Sequence, residues 1–166
     1  KLANQKLEMN KTEVPLAPML DRLVEKFKTK SQKQVDFLIN LQVESVYADA
    51  EYLEEIFCNL IDNSIKYSNE QVEIKISAEL NKNYTVIKVQ DNGLGIAEKD
   101  IHLIFQKFER ASAKSRNRKH GASGFGLGLS FVDQAVKAHA GKIFVTSIEG
   151  EFTEFAIYLP EATADV

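Results

Sequence analysis

Val35, Phe37, Ile39, Leu41 and Val43 occupy every second position of one stretch, and the same period of two returns at Val72, Ile74, Ile76 and Ala78 and in Phe155, Ile157 and Leu159. Successive side chains of a strand point to opposite faces, so these stretches read as strands with one buried face. Asn81-Lys82-Asn83 should turn the Val72–Ala78 stretch into a partner strand from Tyr84 to Val89. Likewise, Glu149-Gly150-Glu151 should join Ile143–Ser147 to the last strand, which runs up to Pro160. Other apolar residues recur at helical spacing. Leu16, Leu20, Leu23, Val24 and Phe27 follow Pro15 and Pro18, and Phe57, Leu60, Ile61 and Ile65 follow an N-cap candidate at Asp49 with Glu51 in the first turn. A third helix is expected from about Leu127 to His139, using Leu129, Val132 and Val136. A sheet with one buried face and helices with one apolar stripe each satisfy one another in two layers. The expected fold is an α/β (α+β) two-layer sandwich, a mixed and mostly antiparallel sheet covered on one side by about three helices.

At 166 residues and 44% hydrophobic composition, the chain has room for one domain with a real core. A net charge of −3 argues against a domain that grips nucleic acid. No apolar run approaches the roughly 18 residues of a membrane span. Lys1 stands where an initiator Met would, so the sequence is expected to begin inside a longer protein. The single Cys58 excludes an internal disulfide framework; it fits a reducing cytoplasm and reads as a small buried filler. From Ala111 to Ser123 periodicity is lost among Ser, Arg, Lys and Gly, which predicts a mobile loop.

Four segments carry chemistry. On the second helix Asn59, Asn63 and Lys66 recur at spacings of four and three, placing them on one side. Asn is a poor mid-helix residue, because its amide competes for backbone groups. The row is either a solvated polar face or a set of amide oxygens and an ammonium facing a metal-bound phosphate. Mg²⁺ keeps most of its waters and takes one or two protein oxygens, which suits an uncharged Asn beside a triphosphate. Strand parity then puts Asp91 on the same face as Ile87 and Val89, where a carboxylate needs a donor. Asp91-Asn92-Gly93-Leu94-Gly95-Ile96 either ends a strand or leaves room for a flat ligand. Gly121-Ala122-Ser123-Gly124-Phe125-Gly126-Leu127-Gly128-Leu129 precedes the third helix and is either a hinge or an anion site at a helix N-terminus. It lacks the Lys-Ser/Thr of a phosphate-binding Walker loop and follows a polar loop rather than a strand. Finally, Lys114, Arg116, Arg118 and Lys119 form a basic run without interleaved aromatics, which fits a cationic lid better than a nucleic-acid patch.

The order and spacing of these pieces resemble the catalytic domain of sensor histidine kinases, over about Leu7 to Pro160. Asn59-Leu60-Ile61-Asp62-Asn63-Ser64-Ile65-Lys66-Tyr67-Ser68 resembles the family's N box, and Asp91 to Ile96 its G1 box. Phe105 to Arg110 is similar to the F box, and Gly124 to Leu129 to the G2 box. The resemblance implies the Bergerat ATP-binding fold, shared with gyrase, mismatch-repair and heat-shock chaperone ATPases, with ATP and Mg²⁺ as its cofactors. It implies that Asp91 accepts the adenine amino group, flanked by Gly93, Gly95 and Ile96, and that Asn63 holds the metal with Asn59 beside it. It also implies that Lys66, Tyr67 and Arg110 approach the phosphates, that Phe108 helps bind the nucleotide, and that Lys66, Arg110 and Asn59 are catalytic. Gly124, Gly126 and Gly128 would let the lid close, and Phe125, Leu127, Leu129 and Thr153 would stand at the nucleotide.

Three departures refine that expectation. Hydrolytic relatives carry a general-base Glu where this chain has Asn59, and an amide cannot take a proton, so phosphoryl transfer is favoured over hydrolysis. Phe152 replaces the second glycine of a final Gly-x-Gly-Thr-x-Phe element, while Thr153 is retained. No phosphoacceptor histidine motif is present, and His102, His120 and His139 read as structural or incidental. By resemblance, residues 1–10 are the tail of the dimerisation helix that bears the acceptor, residues 11–160 the catalytic domain and residues 161–166 a tail. The implied partners are the kinase's own dimerisation domain and a response regulator receiver domain, with no nucleic acid, a homodimeric parent and a monomeric fragment. The domain would be cytoplasmic, with anchoring of the parent in the inner membrane left open. Two rivals remain: a nucleotide-sensing degenerate kinase, and an anti-sigma-factor serine kinase of the same fold.

Overall fold

The computed structural model describes the backbone of residues 8–104 and 122–162, and the side chains of 8–104 and 128–162. Residues 1–7 of the expected remnant helix, the Phe105–Arg110 segment and nearly all of the Ala111–Ser123 loop lie outside the described residues, and residues 8–10 are not helical. In chain order the elements are β1 (Lys11–Pro15), α1 (Leu16–Lys30), β2 (Gln34–Leu41), β3 (Ser45–Asp49), α2 (Ala50–Lys66), β4 (Gln71–Asn81), β5 (Tyr84–Asp91), α3 (Glu98–Ile101), α4 (Ala122–Ala138), β6 (Lys142–Ile148) and β7 (Phe152–Pro160).

The main sheet has five strands in the order β2-β4-β5-β7-β6. Only β2 and β4 run parallel; the other pairs are antiparallel, as expected from the two tight turns. Lys82 takes φ 59° in the β4–β5 turn and Gly150 takes φ 83° in the β6–β7 turn. The alternating residues point to one face, where Val35, Val72, Ile74, Ile76, Ile87, Val89, Phe155 and Ile157 are buried. Against that face α1 buries Leu16, Leu20, Leu23 and Phe27, and α2 buries Leu53, Ile56, Phe57, Leu60 and Ile61. At about 1.5–3 kcal/mol for each large apolar side chain taken out of water, this layer contact dominates the stability of the sandwich.

Two strands were not legible. β1 and β3 pair with each other as a separate antiparallel ladder, Lys11 opposite Asp49 and Pro15 opposite Ser45. Each has five residues and no sustained alternation, so the partner supplied by the fold, not the pattern, makes them strands. The third helix also departs from expectation. α4 starts at Ala122, about five residues earlier than its apolar period indicates, so Gly124, Gly126 and Gly128 lie within its first turns. Each interior glycine costs a helix roughly 1 kcal/mol relative to Ala. Contact with α2 explains the last of them, since a Cβ on Gly128 would stand 2.7 Å from Asn59 Oδ1. Cys58 is partly rather than fully buried; Lys26 Nζ lies 3.9 Å from its sulfur, and burial pushes the thiol pKa up.

Candidate nucleotide site

α2 carries the polar side of the site because its N-terminus is firmly set. Asp49 caps it, Oδ1 accepting from the Tyr52 amide at 3.1 Å. At its other end the Lys33 ammonium donates to the carbonyls of Ile65 (2.6 Å) and Ser68 (2.8 Å), neutralising the carbonyl end of the helix dipole. The Ser68 hydroxyl also donates to the Ser64 carbonyl. The turn after α2 is thereby held, and the Tyr67 carbonyl accepts the Leu94 amide at 2.9 Å.

Asp91 ends β5 on the buried face, as parity requires, and is 8% exposed. Its Oδ1 accepts the Gly93 amide at 2.8 Å. Burial pushes its carboxyl pKa up, opposed by donors from the Gly93 amide, the Ser64 hydroxyl and the Thr153 amide. Thr153 lies directly opposite Asp91 across the β5–β7 pair. Asn63, Tyr67, Asp91, Leu94, Gly95, Ile96, Thr153 and Phe155 line a cavity of about 180 Å³. That is below the roughly 300–1,000 Å³ of sites that enclose a whole drug-sized ligand, so the cavity has room for only one end of such a molecule. A wider, open groove of about 450 Å³ runs between α1 and β2, lined by residues such as Val24, Phe37 and Ile39, but no buried carboxylate is among the described residues that line it.

The loop between Asp91 and Ile96 is shaped by contacts only glycine permits. A Cβ on Gly93 would lie 2.7 Å from both Ser68 Oγ and the Tyr67 carbonyl. Gly95 has φ +73°, and a Cβ there would strike the Ile148 carbonyl. The Gly150 amide donates to the Leu94 carbonyl at 2.7 Å, and the Ile96 amide donates to Ser147 Oγ at 2.8 Å. The β6–β7 turn therefore braces the loop. Phe152 creates no strain there, since it enters β7 in extended backbone without a positive φ.

Asn63 is 7% exposed, lines the cavity, and its Nδ2 has no hydrogen-bond partner among the described residues. A half-turn of the amide presents oxygen in place of nitrogen, so this buried group can meet a cation or a polar ligand atom. Asn59 lies one turn earlier and outside the cavity lining: its Nδ2 donates to the Glu55 carbonyl at 2.9 Å, and its Oδ1 sits under Gly128. Lys66 points to solvent and pairs with Asp62 at 3.1 Å. The three residues read as one row thus occupy three environments. Tyr67 lines the cavity, its hydroxyl pKa pushed up by burial and by Asp62. Leu129 is buried in the core rather than in the cavity. Gly124, Phe125, Gly126 and Leu127 lie in α4, where only their backbone is described, and Phe108 and Arg110 lie outside the described residues.

Ser64, Ser147, Leu94 and Phe155 belong to the site without having been singled out from the sequence. Ser64 stands three and four residues beyond Ile61 and Leu60, and a hydroxyl on an apolar stripe signals a buried partner. Ser147 gives the same signal, following Ile143 and Val145 at strand parity.

Residues 48–163 match the family described as histidine kinase-, DNA gyrase B- and HSP90-like ATPase. The chain is 31% identical over 164 residues to the sensor histidine kinase WalK of Bacillus subtilis, covering 96% of this chain and 26% of that protein. It is 32% identical to the sensor histidine kinase YclK of the same organism, again over 96% of this chain and 34% of that protein. The chain thus spans about a quarter to a third of these relatives. Among solved structures, the catalytic domain of histidine kinase ThkA aligns with a TM-score of 0.76 and 27% identity, covering 92% of this chain and 99% of that one. Acinetobacter baumannii histidine kinase AdeS aligns with a TM-score of 0.78 and 25% identity, covering 98% of this chain and 73% of that one.

Proposed function

The chain belongs to the histidine kinase-, DNA gyrase B- and HSP90-like ATPase family, as an ATP-binding catalytic domain of the sensor histidine kinase kind, and we propose that it transfers the ATP γ-phosphoryl group to a histidine on its parent's dimerisation domain, for relay to a response regulator. The observation that carries this reading is Asp91, a buried carboxylate at the cavity end with the Asn63 amide on the facing helix. In this reading Asp91 accepts a hydrogen from the adenine amino group, and the Gly93–Ile96 loop lies against the base. Asn63 would hold Mg²⁺, which when bound supplies charge neutralisation along the phosphates. A single buried amide between Asp91 and the helix exterior fits a metal that keeps most of its waters. Lys66, Tyr67 and Arg110 would act on the phosphate side, Lys66 exchanging its exposed Asp62 partner for a phosphate oxygen. The glycines of α4 would let the segment before them close over the ligand.

During transfer the P–O bond to ADP breaks as a P–N bond to the acceptor imidazole forms, so the residues here mainly orient and neutralise charge. Asn59 has no basic lone pair to take a proton from water, which keeps hydrolysis slow.

Incubating the chain with labelled ATP tests this. Alone it should neither label itself nor turn over appreciable ATP. With the parent's dimerisation domain it should produce acid-labile, base-stable label on that partner. Acid-stable label would indicate a serine kinase, no label a nucleotide-sensing module, and fast hydrolysis would overturn the role given to Asn59.

A further inference from the structure

Ser147 is not among the residues lining the Asp91 cavity, yet three of the site's groups converge on its hydroxyl. The Ile96 amide lies 2.8 Å from Oγ, the Phe152 carbonyl 2.7 Å and Thr153 Oγ1 2.9 Å. A serine hydroxyl has one hydrogen and two lone pairs. The Ile96 amide can only donate, so it takes one lone pair. The Phe152 carbonyl can only accept, so it takes the single hydrogen. What remains for Thr153 is the second lone pair, and Thr153 must therefore be the donor in that contact. Its hydrogen is turned toward Ser147, and only lone pairs are left for the cavity that Thr153 lines.

Thr153 stands opposite Asp91, whose carboxylate accepts and does not donate when ionised. The end of the cavity then holds two neighbouring side chains that both accept. We infer that Ser147 is a positioning residue that sets base specificity: by consuming the Thr153 hydroxyl hydrogen it makes this end of the cavity acceptor-only, so that it takes a base edge carrying an amino group and disfavours one carrying only acceptors. The same hydroxyl braces the Ile96 end of the base-facing loop. The inference rests on the nucleotide reading of the Asp91 cavity.

The test compares ATP with 6-methoxypurine riboside triphosphate, which replaces the amino group by an ether oxygen, in calorimetric titrations of the whole chain. The parent protein should prefer ATP. In Ser147→Ala the Thr153 hydroxyl is released and can donate to the ether oxygen. The methoxy analogue gains a bond, while ATP keeps the one its amino group already donates to Thr153 Oγ1. The preference should shrink about fivefold, the worth of one neutral hydrogen bond. Loss of the loop brace weakens both ligands alike and cancels in the ratio. Ser147→Thr, which keeps a hydroxyl, should retain the preference. In a Thr153→Val background Ser147→Ala should change the ratio no further. Should Ser147→Ala not fold, Ser147→Cys, with its weakly accepting thiol, serves for the same comparison. Binding of neither ligand would remove the nucleotide reading itself, and equal binding of both by the unsubstituted protein would overturn the base-edge specificity inferred here. A parent that prefers ATP and a Ser147→Ala that keeps the full preference would overturn the role of Ser147 alone, as would a further change in the valine background.

Discussion

At the scale of single residues, Asp91 couples binding to stability in opposite directions. An accepted hydrogen bond to a charged group contributes roughly 1.5–3 kcal/mol, so Asp91→Asn should lower ATP affinity at least about tenfold by calorimetry. Burial is the largest influence on its carboxyl and raises its pKa in the fold. A raised folded pKa means that stability is fully present below the ordinary carboxylate value of about 4 and is lost as pH rises through the raised one. At neutral pH the ionised carboxylate therefore weighs against folding, and Asp91→Asn, which cannot titrate, should flatten this fall in stability between acid and neutral pH, a trend that urea denaturation at several pH values would show. Asn63 makes the complementary case: its buried amide lacks a partner at Nδ2, so Asn63→Ala leaves no broken bond at that atom. The variant should fold with little loss while magnesium-dependent transfer to a supplied dimerisation domain disappears. Full transfer activity would take the metal away from Asn63.

Among the elements, the α2–β4 turn links the first helix layer to the base-facing loop. Lys33 reaches the carbonyls of Ile65 and Ser68 from the α1–β2 connection, and Tyr67 between them receives the Leu94 amide. Lys33→Met keeps the aliphatic stem and removes only the charge. It should cost about 1–2 kcal/mol of stability, the worth of a cation in a partly buried C-cap. It should also raise hydrogen exchange at Leu94 more than at the β4–β5 turn, and equal exchange at both would show that the cap does not reach the loop. Where α2 crosses α4, Gly128 sits against the end of the Asn59 side chain, a group that can rotate, unlike the backbone that faces Gly95.

Across the whole molecule, Asp49 and His139 tie distant parts of the chain together. Asp49 Oδ2 accepts the Asn10 amide at 2.8 Å, its Oδ1 caps α2, and its own amide donates to His139 Nε2 at 3.0 Å. His139 Nδ1 faces the Ala135 carbonyl at 2.7 Å and so bears the hydrogen. Both nitrogens are used by the neutral ring, and burial pushes its pKa down, with Lys11 adding to that and Asp49 opposing it. A depressed folded pKa gives stability that is present above the ordinary imidazole value of about 6.5 and is lost as pH falls toward the folded value. His139→Leu leaves the Asp49 amide without its acceptor, a loss of about 1–3 kcal/mol, and should flatten this part of the stability–pH curve. An unchanged curve would place the pH dependence elsewhere.

What the sequence by itself determined is what depends on near neighbours. Period-two and helical spacings follow from backbone geometry alone, so the long strands, α1 and α2, the N-cap at Asp49 and the inward direction of Asp91 were legible, and with them the family. What depends on partners far along the chain was not. β1 and β3 exist because each completes the other, and α4 begins early within a glycine run, with Gly128 lying against α2. Asn59, Asn63 and Lys66 share a spacing but not an environment, since a helix face becomes buried, crossed or solvated only when a second element lies on it. Ser64 and Ser147 joined the site the same way. A hydroxyl at a core-facing position signals only that some partner is buried with it, and its role is set by which donor or acceptor the tertiary fold brings within 3 Å.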